Sequence, residues 1–517
     1  MAVVLAGDLD YDKTVAMVDK YFGTWTSKPV PGFSFEPETP AAAPETVEVF
    51  GPNSEFMMMA WRFGGDATSD PIMLDLIAGI MSNGQAGLID LDLLQDQKVL
   101  DAGASADAQA DYSEFSLSGE PREGQTLEQV RDLLLAEMEK VKQGAFDDWL
   151  IDAVVNDNRQ TRLKFYNENN SMRASAMTNA FILKQNWQSQ VDYYDRMAKI
   201  TKQQVMDFAS KRFGSDYVCV FKRTGENKDA FKVNKPKITA IDIKREGMSE
   251  WRKNWEKTPS ATLTPEFIDY SKAISNRPLT NGVELSTVKN PSNDLFSLSY
   301  IVAMGSNNDR LLDLALDYLP YLGTPRLGPK EFKKELFKLG LSINVRTEEE
   351  RVVVGLTGLE KNLPQGITLL EELLSGAQPN EEALKSLVDD IAKERENAQK
   401  DKNTILQAAM YSYARYGTTS PFNDVMSLAE LQTVPSKDLI DRLHGLTSYP
   451  HKVFYYGRKN ADEVAILMNG LHKVPATFKP VPAARTYTEQ ETTANTVLFV
   501  DHDMVQTEMM WVSKADG

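Results

Sequence analysis

Two stretches near the ends of this sequence repeat one another, and self-similarity at long range confines a chain to copies of one structural unit. Val3-Val4-Leu5-Ala6-Gly7 reads as a buried strand. It is followed by a helix with Tyr11, Val15, Val18 and Phe22 on one face and Gly23 at its stop. Val453-Phe454-Tyr455-Tyr456-Gly457 reads as the same strand, and its helix carries Val464, Leu467 and Leu471. Gly7 matches Gly457 and Asp12 matches Asp462, an offset of 450 residues. Glu55 to Trp61 resembles Glu508-Met509-Met510-Trp511. A looser copy, the helix after Thr201 that ends at Gly214 and leads into Tyr217 to Phe221, falls midway. Half the offset gives units of about 225 residues, an ordinary domain size.

On this ruler the chain is expected to begin and end inside domains. Residues 1–28 are then the C-terminal end of a truncated first domain, and residues 45–225 a complete second one. A linker over 226–275 leads to a complete third domain, 276–475, and residues 485–517 open a truncated fourth. Within the second, Phe56 to Phe63 is expected as a strand, Ile72 to Met81 and Leu88 to Gln95 as helices, and Tyr112 to Leu117 as a half-buried strand. Thr126 and Gln129 form a capping-box pattern ahead of the stripe Leu127, Val130, Leu134, Met138 and Val141; Thr201 and Gln204 form another. The third repeats the plan. Asn281-Gly282 turns into Val283, Leu295 to Val302 is a strand, and Pro329 opens a helix closed by Gly340. The fold class is therefore α+β: repeated two-layer domains of mostly antiparallel sheet packed with helices. The linker is polar, and its Trp251 and Trp255, four apart, are expected to pack on a neighbouring domain.

Composition narrows the function. The net charge of -17 over 517 residues argues against nucleic acid, whose phosphates it would repel. No run of about eighteen apolar residues is present to span a membrane. The one cysteine, Cys219, lies in a strand-like run and reads as an inert core thiol.

The segment Asn281 to Thr324 carries a more specific signal. An Asn-Gly turn, the strand Ser297 to Ala303 and Gly305-Ser306 precede a helix ending Leu322-Gly323-Thr324. This resembles a domain opening in the pitrilysin/insulin-degrading enzyme (inverted-zincin) metallopeptidases, where the corresponding helix bears His-x-x-Glu-His. Aligned on Gly323-Thr324, the first His position is Leu314, the Glu is Asp317 and the second His is Tyr318. Leu and Tyr supply no nitrogen ligand, so Leu314 and Tyr318 are expected in the core and Asp317 as a surface or hydrogen-bonded carboxylate. Glu394 and Glu396 occupy the region of the family's distal glutamate ligand and read as a solvated helix face, with Glu396 paired to Lys400. Glu348-Glu349-Glu350-Arg351 reads as a charged turn. The four histidines, His444, His451, His472 and His502, have no paired-ligand spacing and are expected in loops or on the surface.

The resemblance implies a zinc metallopeptidase that degrades peptides, of which this chain is the inert portion, forming chamber wall and hinge. Catalytic, cofactor-binding and metal residues are then none in this chain, and zinc belongs to the missing first domain. Implied partners are peptide substrates, with a homo-oligomer or an active peptidase partner left open. A non-catalytic peptide-binding or scaffold paralogue is the alternative. Similar bacterial proteins lie in the cell envelope or periplasm.

Overall fold

The computed structural model describes the chain except residues 33, 40, 227–233, 235, 240, 242–244, 246, 261, 263, 492, 503, 505 and 515–517. Parts of the expected linker and of the stretch 485–517 thus lie outside the described residues. The first sheet comprises β1 (Glu45–Gly51), β2 (Phe56–Gly64), β3 (Asp101–Ala108), β4 (Tyr112–Glu120) and β5 (Val218–Thr224), in the order β1-β5-β2-β4-β3. The second comprises β6 (Ser275–Pro278), β7 (Glu284–Lys289), β8 (Leu295–Val302), β9 (Leu341–Thr347), β10 (Val352–Leu359) and β11 (His451–Gly457), in the order β6-β7-β11-β8-β10-β9. Apart from the added β6, the two sheets have one topology. In each, the first and last core strands pair parallel, β1 with β5 and β7 with β11, and the remaining ladders are antiparallel.

Alternation along the central strands decides which sheet face is buried. Met57, Met59, Trp61 and Phe63 of β2 are buried, and Phe296, Leu298, Tyr300 and Val302 of β8 repeat the pattern. Helices cover that face. Leu127–Gln143 starts at the Thr126–Gln129 capping box and stops at Gly144, whose φ of 69° suits a residue without a Cβ. Its Val130 sits so close to β4 that a Cβ on Gly119 would lie 2.6 Å from the Val130 side chain. In the second unit the helices Leu363–Gly376 and Glu381–Ala398 bury Ile367, Leu370, Leu374, Leu384 and Val388. Removing apolar area of this kind from water is the main stabilising term, about 25 cal/mol per Å².

The units meet along a seam. Phe337, from the helix Pro329–Lys338 of the second unit, is buried in the first unit's core. Around it Lys330 pairs with Asp92 and Asp96 (3.0 and 2.9 Å), Lys334 with Asp147 (3.0 Å), and the Lys338 ammonium lies over Trp149. Arg122 closes the other end. Its Nε donates to Asp390 Oδ1 (2.6 Å), one Nη to the Ser386 carbonyl (2.9 Å) and the other to the Gln97 carbonyl. Gln97 takes the left-handed backbone region (φ 51°), and its side-chain amide donates to Ala383 O (3.3 Å).

Three local expectations are corrected. Val3–Gly7 forms no strand, because a strand requires a neighbour to take its backbone groups and none lies beside it among the described residues. The helix Tyr11–Phe22 does form, with no side chain buried. Residues 485–517 likewise form no strand among the described residues. Trp251 and Trp255 are exposed; one helical turn apart, they stack on each other (centroids 6.3 Å, planes 5° apart) instead of on a domain. Leu88 to Gln95 is helical as read, but wound wide as a π-helix over Asp90–Leu94.

Arg122→Ala leaves the half-buried Asp390 carboxylate unpaired and should cost about 2–4 kcal/mol in urea unfolding. The same change at the exposed Arg326–Glu372 pair should have little effect. Equal effects at the two sites would show that the seam adds nothing.

Candidate functional site

The helix Leu311–Tyr318 sets five side chains into the core, Leu312, Leu314, Ala315, Leu316 and Tyr318. Asp313 and Asp317, one turn apart, are left on the opposite side. They form one wall of a cleft of about 710 Å³. Ile391 and Glu394 of the helix Glu381–Ala398 face them, and Tyr411, Tyr416 and Phe422 supply an aromatic side. Arg485 and Tyr487 also line the cleft.

Leu314 and Tyr318 are structural. Leu314 is buried in the second unit's core. Tyr318 is wholly buried, and its hydroxyl donates to the Asn380 carbonyl and accepts from the Asn380 N–H, both at 2.6 Å. Asn380 in turn caps the helix Glu381–Ala398. A phenol thus ties the helix Leu311–Tyr318 to the helix Glu381–Ala398. Neither residue fits zinc: a methyl-ended side chain and a protonated phenol already engaged at both lone pair and proton offer no ligand. Among the described residues, no group of three or more His, Cys, Asp or Glu is placed to hold a metal ion.

Asp317 is the residue whose chemistry remains. It reaches solvent in the cleft, yet has no hydrogen-bond or ion-pair partner among the described residues. Burial by the cleft walls, then the nearby Asp313 and Glu394 charges, push its carboxyl up to about 6. Glu394, also unpartnered among the described residues, is raised by burial and by Asp390 and Glu120. The cleft's cations are engaged elsewhere. Arg485 donates to Asp424 (2.7 Å) and Ser306 O (2.8 Å), Arg395 to Met426 O (2.7 Å), and Arg415 to Glu489 (2.6 Å). Arg310 faces Asp424 and Glu430 at 3.8 and 3.6 Å, so no cation is paired with Asp317 or Glu394 among the described residues.

Glu396 pairs with Lys400 (2.7 Å) on the solvated side as read, and also with Lys393 (3.1 Å). Glu348 binds Arg346 and Arg351 within its turn. Cys219 is buried, and burial pushes its thiol up to about 11, which keeps it inert. The histidine expectation needs correction. His444 is exposed at a helix end, but His451 and His472 are buried against one another, Nε2 to Nε2 at 2.8 Å, with Glu371 and Tyr300 beside them. Sequence reasoning missed this group because its members come from four separate elements. The available signal was Glu371, four residues from Ile367 in an otherwise apolar stripe.

Residues 1–158 match the family profile described as Peptidase M16 inactive domain. The chain carries an M16-type segment. Among solved structures, a mutant of the ferredoxin protease FusC in complex with Arabidopsis ferredoxin aligns at 14% identity over 94% of this chain and 57% of that one, TM-score 0.46. The periplasmic protease PqqL from Escherichia coli aligns at 14% identity over 95% and 57%, TM-score 0.39. A protease from Helicobacter pylori aligns at 17% over 42% and 54%, TM-score 0.39. The chain thus spans 57% of the length of the first two. No curated protein matches it. No helix among the described residues is long and apolar enough to cross a membrane.

Asp317 also predicts a pH effect. Its folded carboxyl binds a proton more tightly than an ordinary aspartate, near 3.9. Its contribution to stability is therefore full below about pH 4 and lost as pH rises through 6. Asp317→Asn should raise the urea midpoint at pH 7.5, with the gain vanishing near pH 4. A midpoint that falls at pH 7.5 would show that the carboxylate is held by a partner after all.

Proposed function

We propose that this chain is the non-catalytic portion of a zinc metallopeptidase that degrades peptides. In this reading its two repeated units form chamber wall, and the stretch 226–275 is the hinge. Residues 1–28 belong to the end of a zinc-bearing first domain, 45–225 and 276–475 are the second and third domains, and 485–517 begin a fourth. One observation carries the reading. In a chain whose residues 1–158 match an inactive M16 domain, both imidazole positions of the related helix hold side chains that bind no metal, Leu314 and Tyr318. Asp317 keeps a carboxylate at the third position, but an isolated carboxylate lacks the metal-bound water that such a base would deprotonate.

A second reading is favoured by the cleft itself. An unpaired acidic wall at Asp317 and Glu394, opposite Tyr411, Tyr416 and Phe422, suits a basic peptide side chain: carboxylates for the charge and rings for its methylene stem. The chain would then be a peptide-binding paralogue that serves an active peptidase.

One assay distinguishes the two. The purified chain is mixed with zinc and a fluorescent peptide rich in lysine and arginine, and cleavage and anisotropy are read together. Both readings predict no zinc-dependent cleavage, and its appearance would overturn both. Binding that weakens about tenfold in Asp317→Asn/Glu394→Gln supports the binding paralogue, and a peptide that does not bind supports the wall.

A further inference from the structure

The buried histidine pair lies outside the cleft, and its hydrogen bonds fix a proton count. His451 begins β11, and its Nδ1 lies 2.7 Å from the Tyr449 carbonyl, which can only accept. His472 caps the helix Ala461–Leu471, and its Nδ1 lies 2.7 Å from the Glu371 carboxylate. The two Nε2 atoms meet at 2.8 Å. Tyr300, from β8, donates its hydroxyl to the same Glu371 oxygen at 2.8 Å. Three contacts therefore each require one ring proton among four ring nitrogens. With two protons, one contact sets two acceptors face to face; with four, the Nε2 protons collide. Only three satisfy all contacts, so the pair holds one proton more than two neutral imidazoles.

We propose that this network is a one-proton clasp, which fastens the strap His472–Tyr487 to the second unit while protonated and releases it as pH rises. The proton belongs on a ring, because imidazole is the stronger base than carboxylate. Burial lowers the affinity of His451 for a proton, and its Nδ1 faces only the Tyr449 carbonyl, so the extra proton is placed on the ring whose Nδ1 faces the Glu371 carboxylate. The groups facing the pair are Glu371 from the helix Leu363–Gly376, Tyr300 from β8, the Tyr449 carbonyl, and the Lys473 N–H 3.5 Å from the other Glu371 oxygen. Burial and Glu371 hold the Tyr300 hydroxyl far above its usual range, so it stays a donor. The Phe478 ring closes over His451 with centroids 5.5 Å apart.

Beyond the clasp the strap runs to the cleft. Lys479 N–H donates to Ser448 O (2.9 Å), Asn308 to Pro482 O (2.8 Å) and Arg485 N–H to Asn307 O (2.8 Å). Tyr487 and Arg485 end on Asp424 at the cleft (2.9 and 2.7 Å). Loss of the proton would oppose two lone pairs inside a dry site and loosen this whole run. The sign follows from linkage. Where the closed pair keeps the third proton that its contacts require and the opened pair does not, the opening constant of the strap rises about tenfold per pH unit.

The chain has four histidines, so ¹⁵N-histidine labelling of residues 1–517 gives a readable spectrum. At pH 8 one histidine should show both nitrogens protonated, and its signal should be absent in His472→Gln; Glu371→Gln should shift its loss to lower pH if the first variant fails to fold. Hydrogen exchange at Lys479 and Arg485, corrected for intrinsic rate, should accelerate about tenfold per pH unit up to the pH where that signal disappears and level off above it. Four neutral histidines at pH 8, or strap protection unchanged when the imidazolium is lost, would overturn the proposal.

Discussion

One guanidinium joins the two halves of this structure. Arg122 spends its donors on a carboxylate and a carbonyl of the second unit and on a carbonyl of its own. Its planar fork can serve three acceptors at once, which an ammonium on a flexible stem would do with less geometric control. The helix it grips, Glu381–Ala398, serves two surfaces: Asp390 lies on the seam, while Ile391 and Glu394 line the cleft. Asp390 is also one of the charges that raise Glu394. The seam and the cleft therefore share a scaffold and an electrostatic field, and the position of one limits the shape of the other.

The cleft is built from a helix that turns its apolar side to the core and its carboxylates to open space. Leu314 joins the core, and apolar burial is the reason for the helix to sit where it does. Tyr318 makes two hydrogen bonds to Asn380 and keeps the neighbouring helix in place. Asp317 alone retains an acidic group facing open space, and the walls around it make that charge costly. A carboxylate kept at such a cost needs either a cation to meet it or no function that depends on its ionisation. The match of residues 1–158 to an inactive M16 domain supports a non-catalytic part of a peptidase.

What the sequence made legible was what neighbours along the chain decide. Phe56 to Phe63 and Leu295 to Val302 were legible as strands, and burial alternates along both, through Met57, Met59, Trp61 and Phe63 and through Phe296, Leu298, Tyr300 and Val302. Thr126 with Gln129 and Thr201 with Gln204 marked helix starts, because a capping box is closed within four residues. The placing of Leu314 and Tyr318 in the core followed from their apolar bodies. What escaped were contacts between distant segments: Arg122 with Asp390, and His451 with His472 and Glu371, where no periodicity announces the partner. Val3–Gly7 failed in the opposite sense. Its composition suits a strand, but a strand exists only with a neighbour.

The central claim is that the two units act as one wall held by the Arg122 seam. Cys219 is buried and inert, so cysteines introduced at the exposed Lys211 and Lys437 can be spin-labelled selectively. Double electron–electron resonance between Lys211→Cys and Lys437→Cys then reports the relative placement of the units. The account predicts one narrow distance that broadens when Arg122→Ala is added. A distribution equally broad with and without Arg122 would contradict it.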